Sequence, residues 1–376
     1  MAASNTAEWF PRTLLDELEE DELHRPVLFR LADDGDRRRL EELRSRVPDI
    51  VVRDRVLAQL AGLVQSRTPQ ERLTPSRIEA AVRAHLAGTP PDEYGVWVWY
   101  PWLRRLTHLL DRDAFVELRT ARSQNKITRE EGDRLAGKRV GIVGLSMGHA
   151  IALALATERG CGELRVADFD RLELSNLNRL PAGVHELGLR KVVVTSRAVA
   201  EIDPFIDVTC WPEGVRAATM DEFLLGGGRL DAVFDQCDSL DIKLLVRERA
   251  RELGIPVLMA TSDRGLIDVE RFDLEPDRPL LHGLVGDLDS QRLRGLATMA
   301  EKLPAALAMM GGLDGVSPRM RESIAEVGST IESWPQLASA VCLNAGVAAD
   351  VCRRVLLGQL LSSGRHVVDL DELIVD

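Results

Sequence analysis

The stretch VGIVGLSMGHA, residues 140–150, places a short apolar run directly before a glycine turn and the start of a helical pattern. It contains G-x-S-x-G, which in many hydrolases presents a serine nucleophile at a strand-to-helix turn. The same features are typical of a phosphate-binding loop, in which backbone amides at a helix N-terminus hold the anion. Only residues further along the chain distinguish these two hypotheses for Ser146.

After residue 125, short β-branched runs alternate with helical patterns. The strand-like runs are KRVGIVG, GELRVADFD, FIDVTCW, LDAVFDQ and IPVLMATS. Strands that lack polar alternation and that alternate with helices along the chain indicate a parallel sheet with helices on both faces. The predicted fold class is therefore α/β, with a doubly wound, Rossmann-like, mostly parallel sheet that binds ligands at the carboxyl ends of its strands.

Downstream residues favour the phosphate-loop hypothesis. Asp168 ends the second strand-like run, 24 residues after Gly144, where a nucleotide-binding sheet carries an acid that holds ribose hydroxyls. A hydrolase instead requires an acid and then a histidine at loop positions, and the candidate histidines are His185, His282 and His366. Each of them is equally explained as a surface or core residue, so the nucleophile hypothesis stays open but is not preferred.

The first third of the chain has a different pattern. Apolar positions recur at helical spacing in TLLDELEEDEL, RRRLEELRSRV, RVLAQLAGLVQS and PSRIEAAVRAHL. They predict a helical N-terminal domain over residues 1–118, before an α/β domain over residues 119–376. Within VWVWYPWLRRLTHLL, four aromatic residues at positions 97–102 indicate either an anchor that docks the helical domain or an aromatic pocket.

Composition narrows the function classes. The chain has 376 residues, 45% of them hydrophobic, and no apolar run near the roughly 20 residues that cross a bilayer, which predicts a soluble protein without a membrane partner. The start lacks a basic segment followed by an apolar one, which predicts a cytoplasmic location.

A net charge of −12 disfavours nucleic acid as a partner, because phosphate contacts need clustered Lys and Arg. Five spread cysteines without a C-x-x-C pair predict reduced thiols and no zinc.

A longer motif follows the second strand-like run. The segments DFDRLELSNLNR, GLRK and DQCDSLDIK occur in this order, and here the sequence resembles the ThiF/MoeB/HesA adenylyltransferases, bacterial relatives of ubiquitin-activating enzymes. Their signature is a glycine loop, D-x-D-x-V-x-x-S-N-L-x-R, a lysine and C-T-D-N-x-x-x-R. The resemblance covers about residues 119–280 and resumes at PQLASAVCLNAGVAADVCRRVLLG. Several polar elements that agree in order and distance are more specific than one glycine motif.

The resemblance implies a site for ATP and Mg²⁺. Adenylation of a carboxylate requires cations near the phosphates, which Arg179 and Lys191 would supply as catalytic residues, and a carboxylate for Mg²⁺, which Asp238 would supply. Lys243 takes the position of the family's arginine. The implied nucleotide-binding residues are Gly144, Ser146, Gly148, Asp168, Asp170, Asn176, Arg179 and Lys191. Taken alone, each charged residue is equally explained as a solvated surface group, and Ser175-Asn176 as a helix cap.

The chain departs from the family pattern at two places. GLSMGH puts Ser146, Met147 and His149 where G-x-G-G-x-G has glycine. The Ser146 hydroxyl could contact phosphate, and His149 could do so or face solvent. The region where some relatives carry an acceptor thiol or zinc cysteines has none, and residues of about 283–333 predict a helical insert that covers the acyl-acceptor side.

The resemblance implies an adenylyltransferase of the ubiquitin-like-modifier-activating type. Its partner would be a small ubiquitin-like or sulfur-carrier protein or peptide, whose C-terminal carboxylate becomes an acyl-adenylate, and sulfur-carrier activation is what the resemblance most directly implies. Two other function classes stay open. One is a tRNA-modifying dehydratase on the same fold, and the other is a non-catalytic module that binds NAD or no nucleotide.

The segment RTARSQN, residues 119–125, bears on the oligomeric state of the protein. This segment resembles the family's R-x-x-R-Q element, whose arginine crosses a two-fold interface to the partner's ATP. The resemblance therefore implies a homodimer in which Arg122 is a catalytic residue supplied in trans, like an arginine finger. The alternative is that Arg119 and Arg122 lie on the solvated face of a linker helix.

Overall fold

The computed structural model describes residues 21–296 and 299–375, so most of the helix predicted in TLLDELEEDEL lies outside the described residues. The chain divides into two units, Met1–Arg129 and Glu130–Asp376. This boundary lies later than the one that the sequence predicts between residues 118 and 119.

The described part of the first unit combines strands with helices. Its strands are β1 (Val27–Phe29), β2 (Val51–Asp54), β3 (Val96–Tyr100) and β4 (Arg105–Leu109). Its helices are α1 (Asp34–Arg46), α2 (Val56–Ser66), α3 (Pro75–Leu86) and α4 (Arg112–Thr120). The sheet order is β1-β3-β4-β2, in which β2 is parallel to β4 and the other neighbours are antiparallel.

The prediction of a helical N-terminal domain is therefore wrong. Helices α1, α2 and α3 form where the periodicity places them, but VWVWYPWLRRLTHLL folds into β3 and β4. Aromatic and β-branched side chains pack well on a pleated surface, and β3 has a partner strand on each side. Trp99 is buried with Phe29, Leu40 and Leu106, so its ring fills the core of its own unit.

The described part of the second unit forms a seven-stranded sheet with helices. Its strands are β5 (Arg139–Val143), β6 (Glu163–Ala167), β7 (Asp207–Trp211), β8 (Ala232–Asp235), β9 (Val257–Ala260), β10 (Leu266–Glu270) and β11 (Gly364–Val367). The order is β11-β10-β9-β8-β5-β6-β7. Strands β5 to β9 are parallel, and β10 and β11 are antiparallel to their neighbours. The predicted mostly parallel, Rossmann-like α/β class is confirmed.

Helices cover both faces of this sheet. The helices described after the first unit's α4 are α5 (Arg129–Ala136), α6 (Met147–Glu158), α7 (Lys191–Ile202), α8 (Met220–Leu225), α9 (Leu240–Leu253), α10 (Ser290–Arg294), α11 (Met299–Met310), α12 (Pro318–Ile324), α13 (Ala338–Leu356) and α14 (Leu370–Leu373). On β5, Gly141 lies against Phe223 of α8, whereas Ile142 lies against Gly148 of α6. Successive strand residues point to opposite faces, so α6 and α8 lie on opposite sides of the sheet.

Short helices occupy the predicted insert, namely α10, α11 and α12. Leu293 and Met309 of the insert are buried in one cluster with Leu244 of α9 and Met259 of β9. This Met and Leu pattern therefore forms core. Among the residues that the structure describes, no helix has the length and apolar character needed to span a bilayer.

Candidate functional site

The carboxyl ends of three adjacent parallel strands, β6, β5 and β8, form the predicted ligand edge. Backbone hydrogen bonds join the loops that leave them. Gly144 N donates to the Ala167 carbonyl over 2.8 Å, and Gln236 N donates to the Val143 carbonyl over 2.7 Å. The loops that carry most of the predicted site residues therefore meet at one edge of the sheet.

Gly144 occupies a position that requires glycine. Its φ angle is +92°, and a Cβ atom there would lie 2.5 Å from the Gln236 carbonyl oxygen and 2.6 Å from the Cys237 amide nitrogen. Both atoms belong to backbone, so no side-chain rotation can relieve the contact. Gly144 thereby allows the loops after β5 and β8 to pack backbone against backbone.

Gly144→Ala is expected to lower the free energy of unfolding by about 1–3 kcal/mol more than Gly188→Ala does. Gly188 is a matched control, because its φ is +90° but an added Cβ would meet nothing within 4 Å. Both alanines adopt an unfavourable positive φ, and only the one at 144 forces two loops apart. Urea unfolding of both variants measures the difference, and equal losses would contradict the packing argument.

Asp168 holds the glycine loop in place. One carboxylate oxygen accepts a hydrogen bond from Leu145 N over 2.7 Å, and the other accepts one from Asp170 N over 2.8 Å. The side chain is buried, and burial raises the pKa of this carboxyl above its usual value. The structure thus gives Asp168 a role in shaping the loop, while its contact with a ribose stays a prediction.

Lys191 begins helix α7 and is fixed by Asp170. The Lys191 Nζ lies 2.7 Å from Asp170 Oδ2, and the Lys191 backbone amide donates to the Asp170 carbonyl over 3.0 Å. A cation at a helix N-terminus is opposed by the helix dipole, so the carboxylate compensates an unfavourable position. The Lys191 side chain is buried, whereas that of Asp170 is half exposed. The ammonium group is therefore held just below the surface of the site.

Arg179 reaches the glycine loop through Ser146. Arg179 Nε donates to Ser146 Oγ over 3.0 Å, and Arg179 Nη1 donates to Asn178 Oδ1 over 2.8 Å. The Asn176 Oδ1 accepts from Glu173 N over 3.1 Å, in a capping box of the short 3₁₀ helix at residues 174–178. In this structure the Asn176 side chain therefore caps a helix, which is the alternative that the sequence left open. A contact between Asn176 and a nucleotide stays a prediction.

Ser146 lies at the N-cap position of α6, but its side chain makes no capping hydrogen bond. The Ser146 hydroxyl therefore leaves the amides of the first helical turn without a capping acceptor. An anion site at a helix N-terminus requires such amides to be available to the ligand. Within the described residues, no histidine is hydrogen-bonded to Ser146. Of the candidate bases for a hydrolase, His282 is engaged with Asp268 and Arg278. The geometry gives the nucleophile hypothesis no support.

Asp238 lies in the loop after β8 and is exposed. In the described part of the chain it has no hydrogen-bond or ion-pair partner, and no cluster of three or more potential metal ligands is present. The neighbouring Cys237 thiol donates to Asp235 Oδ1 over 3.3 Å, and burial raises its pKa well above the usual value. Cys237 is thus a neutral packed thiol, whereas the Asp238 carboxylate is available to a ligand.

Lys243 does not reach the open edge of the site. Its Nζ lies 3.1 Å from Asp235 Oδ1, in a buried network in which Arg247 pairs with both Asp235 and Glu270. This network was not among the features predicted from the sequence. The signal that could have found it is the spacing of Lys243 and Arg247, which places two cations on one face of α9.

His149, at the start of α6, is completely buried. Its Nδ1 lies 2.9 Å from Thr195 Oγ1 on α7, and its Nε2 lies 3.3 Å from the Pro181 carbonyl oxygen. Thr195 Oγ1 also donates to the Lys191 carbonyl over 2.8 Å. His149 therefore faces neither solvent nor an open phosphate site, and it links the helices that begin at Met147 and Lys191.

Stability is expected to fall as pH falls from 6.5 towards 4, with His149 contributing about 3 kcal/mol of the loss. Burial lowers the pKa of His149 from 6.5 to about 4. In this interval the unfolded chain binds a proton that the folded chain does not, so acid favours unfolding. Urea unfolding at several pH values should give a flatter profile for His149→Gln than for the wild type. Parallel profiles would show that His149 is not the titrating group.

Arg122 lies in the first unit, in a turn after α4, and is exposed. Arg119 lies within α4 itself. The role of Arg122 in a dimer stays a prediction.

A groove of about 400 Å³ lies at the carboxyl end of β7. It is lined by residues 209–214, Arg216 and Thr219. The Trp211 carbonyl at this groove accepts a hydrogen bond from Asp168 N over 3.3 Å, so the groove adjoins the end of β6. No sequence motif predicted this groove.

Comparison with known proteins identifies the family. A model of the ThiF family matches residues 120–317, more than half of the chain. The chain belongs to the ThiF family. The resemblance carried by DFDRLELSNLNR is thereby confirmed.

Three relatives match parts of the chain. The uncharacterized protein MT1398 of Mycobacterium tuberculosis (strain CDC 1551 / Oshkosh) is 45% identical over 331 residues, which are 88% of this chain and 43% of that protein. Ubiquitin-like modifier-activating enzyme 5 of Bombyx mori is 28% identical over 131 residues, 32% of this chain and 33% of that enzyme. tRNA threonylcarbamoyladenosine dehydratase 2 of Saccharomyces cerevisiae (strain ATCC 204508 / S288c) is 29% identical over 143 residues, 38% of this chain and 32% of that enzyme. The chain spans less than half the length of each.

Proposed function

We propose that the protein is an ATP- and Mg²⁺-dependent adenylyltransferase that activates the C-terminal carboxylate of a small ubiquitin-like or sulfur-carrier protein or peptide. The observation that carries this proposal is that two cations are tied to the glycine loop before α6. Arg179 is hydrogen-bonded to Ser146 in that loop, and Lys191 pairs with Asp170, whose neighbour Asp168 holds the Leu145 amide. Positive groups concentrated at a strand-to-helix turn favour a polyphosphate. Membership of the ThiF family supports the same chemistry.

The reaction forms one bond and breaks one. A carboxylate oxygen of the substrate attacks the α-phosphorus of ATP, the bond between that phosphorus and the bridging oxygen breaks, and pyrophosphate leaves. Negative charge grows on the phosphoryl oxygens and on the leaving group. In this proposal Arg179 and Lys191 stabilise that charge, and hydrogen bonds to Ser146 and Asp170 already fix their side chains.

Asp238 suits a magnesium ion held together with phosphates. Mg²⁺ is commonly bound through one or two carboxylates plus substrate phosphates rather than by an all-protein cage. One exposed carboxylate without a described partner fits that arrangement. When bound, the ion would neutralise charge on the phosphates.

The groove at the end of β7 is the proposed place of the nucleoside base. It adjoins Asp168, the proposed ribose ligand, because the Asp168 amide donates to the carbonyl of Trp211, one of the residues that line the groove. Clefts at the carboxyl ends of the strands of a parallel sheet are typical ligand sites in this fold class. In this arrangement base, ribose and phosphates follow the ends of β7, β6 and β5 in turn.

Ligand-dependent thermal stabilisation tests the proposal. ATP with Mg²⁺ should raise the unfolding temperature at concentrations at which NAD does not, because only a ligand that binds the folded state stabilises it. ATP–pyrophosphate exchange that depends on a small protein ending in Gly-Gly would then identify the activated carboxylate. Stabilisation by NAD alone, or by no nucleotide, would support the non-catalytic module instead.

A tRNA-modifying dehydratase is the second candidate. It is favoured by the similarity to a yeast protein named as a tRNA threonylcarbamoyladenosine dehydratase. The net charge of −12 opposes it, because tRNA binding depends on clustered basic residues. Stimulation of ATP cleavage by tRNA, and not by a carrier protein, would select this candidate.

Subunit mixing tests the proposed homodimer. Arg122→Ala and Asp238→Ala proteins should each be inactive in pyrophosphate exchange, and should regain about a quarter to a half of wild-type activity when their subunits exchange. Recovery is expected because one hybrid site then contains both wild-type residues. A monomer by light scattering that is fully active in exchange would rule out an arginine supplied in trans.

A further inference from the structure

The Arg179 guanidinium lies in an electrostatically unfavourable place. Its Nε donates a hydrogen bond to Ser146 Oγ. Ser146 is the residue directly before α6, at the positive end of the helix dipole. In the described part of the protein no carboxylate forms an ion pair with Arg179, and its other hydrogen bonds, through Nη1, reach Asn178 Oδ1 and the Ser175 carbonyl. A cation beside a positive helix end without a counter-charge indicates a place for an anionic ligand.

Ser146 supplies the bond that ties this guanidinium to the glycine loop. The other two acceptors, Asn178 and Ser175, belong to the same short segment as Arg179 itself. The Ser146 hydroxyl is not used to cap α6, so it is free to accept from Arg179 Nε. An arginine side chain has several rotatable bonds, and a bond at Nε restricts nearly all of them.

We propose that Ser146 is a positioning residue that orients Arg179 towards a polyphosphate at the N-terminus of α6. The inference rests on the proposed function for the identity of the anion. Ser146 acts through Arg179, because its hydroxyl fixes the guanidinium in advance and so removes part of the entropy cost of binding. Alanine at this position is expected to leave the loop backbone in place and to remove the hydrogen bond that ties Arg179 to that loop.

A double-mutant cycle on nucleotide affinity tests this role. Ser146→Ala is expected to weaken the binding of ATP with Mg²⁺ by about threefold to tenfold, and Arg179→Ala by more than about tenfold. The double variant should bind no more than about twofold more weakly than Arg179→Ala alone, because the hydroxyl has nothing left to orient. Ser146→Thr, which keeps an oxygen at the same position, should bind within about threefold of the wild type.

Isothermal titration calorimetry on the full chain measures these affinities. Ser323→Ala is the matched control, because among the described residues its hydroxyl donates to the Arg319 carbonyl of its own helix, and it should bind like the wild type. The inference would be overturned if the losses of affinity in Ser146→Ala and Arg179→Ala added in the double variant. It would also be overturned if Ser146→Ala bound ATP as tightly as the wild type.

Failure of the proposed function is separable from failure of this inference. If the wild type binds no ATP, the same cycle is run with inorganic pyrophosphate, which tests the anion site without a nucleoside. Non-additive weakening with pyrophosphate would support the positioning role although the proposed function had failed. Absence of pyrophosphate binding in the wild type would overturn both.

Discussion

Asp238→Ala is expected to lower ATP–pyrophosphate exchange by at least about 100-fold while leaving the fold intact. The loss is expected because the exposed carboxylate is the proposed protein ligand that fixes Mg²⁺ against the phosphates. The fold should be preserved because Asp238 makes no hydrogen bond or ion pair with the described residues. Titration of ATP with and without Mg²⁺ gives a second measure, in which the metal-dependent gain in affinity should disappear.

Asp241→Ala is the matched control for this experiment. Asp241 lies three residues further along, but its carboxylate already accepts from Ser239 Oγ over 2.6 Å and lies 3.4 Å from Arg294 Nε. An engaged carboxylate is a poor metal ligand, so the metal-dependent gain in ATP affinity should persist in this variant. Exchange by Asp238→Ala within about threefold of the wild type, less than 1 kcal/mol in the barrier, would show that the assignment is wrong.

Arg247→Met is expected to lower the free energy of unfolding by about 3–5 kcal/mol. Arg247 is completely buried and pairs with Asp235 and Glu270, which are buried as well. Burial alone lowers the pKa of Arg247, yet the carboxylates of Asp235, Glu270 and Asp268 outweigh it and raise the pKa above its usual value. Removing the guanidinium leaves Glu270 without its cation and Asp235 with Lys243 alone.

Arg249→Met, two residues away on the same helix, provides the control. Arg249 also pairs with two carboxylates, those of Asp221 and Glu252, but these groups are exposed to solvent. Water screens exposed pairs, so the urea midpoint should shift far less than for Arg247→Met. Similar shifts for the two variants would contradict the importance of burial.

The same network supports the site. Asp235 Oδ1 accepts from both Lys243 Nζ and the Cys237 thiol, and Asp235 stands three residues before Asp238. The buried ion pairs therefore anchor the loop that carries the proposed magnesium ligand.

The α/β class of the second unit was determined by local sequence. The runs that form β5, β6, β8 and β9 lack polar alternation because helices cover both faces of the sheet, and this property is visible in each run by itself. The position of Asp168 at the end of a strand-like run was also visible in the sequence, and the family resemblance singled out Arg179 and Lys191. Their mutual contacts were not visible, because Leu145 with Asp168 and Ser146 with Arg179 join residues 23 and 33 positions apart.

The first unit was decided by tertiary structure. Apolar residues in a run as short as VWVWY fit a helix or a strand, and the outcome depends on β1, whose Val27 pairs with Trp99 far along the chain.

The position of Lys243 was decided in the same way. The motif placed it at the site, but packing of α9 against β8 brings it to Asp235. A buried carboxylate requires cations around it, and which cations reach it depends on the folded arrangement and not on the order of residues in the chain.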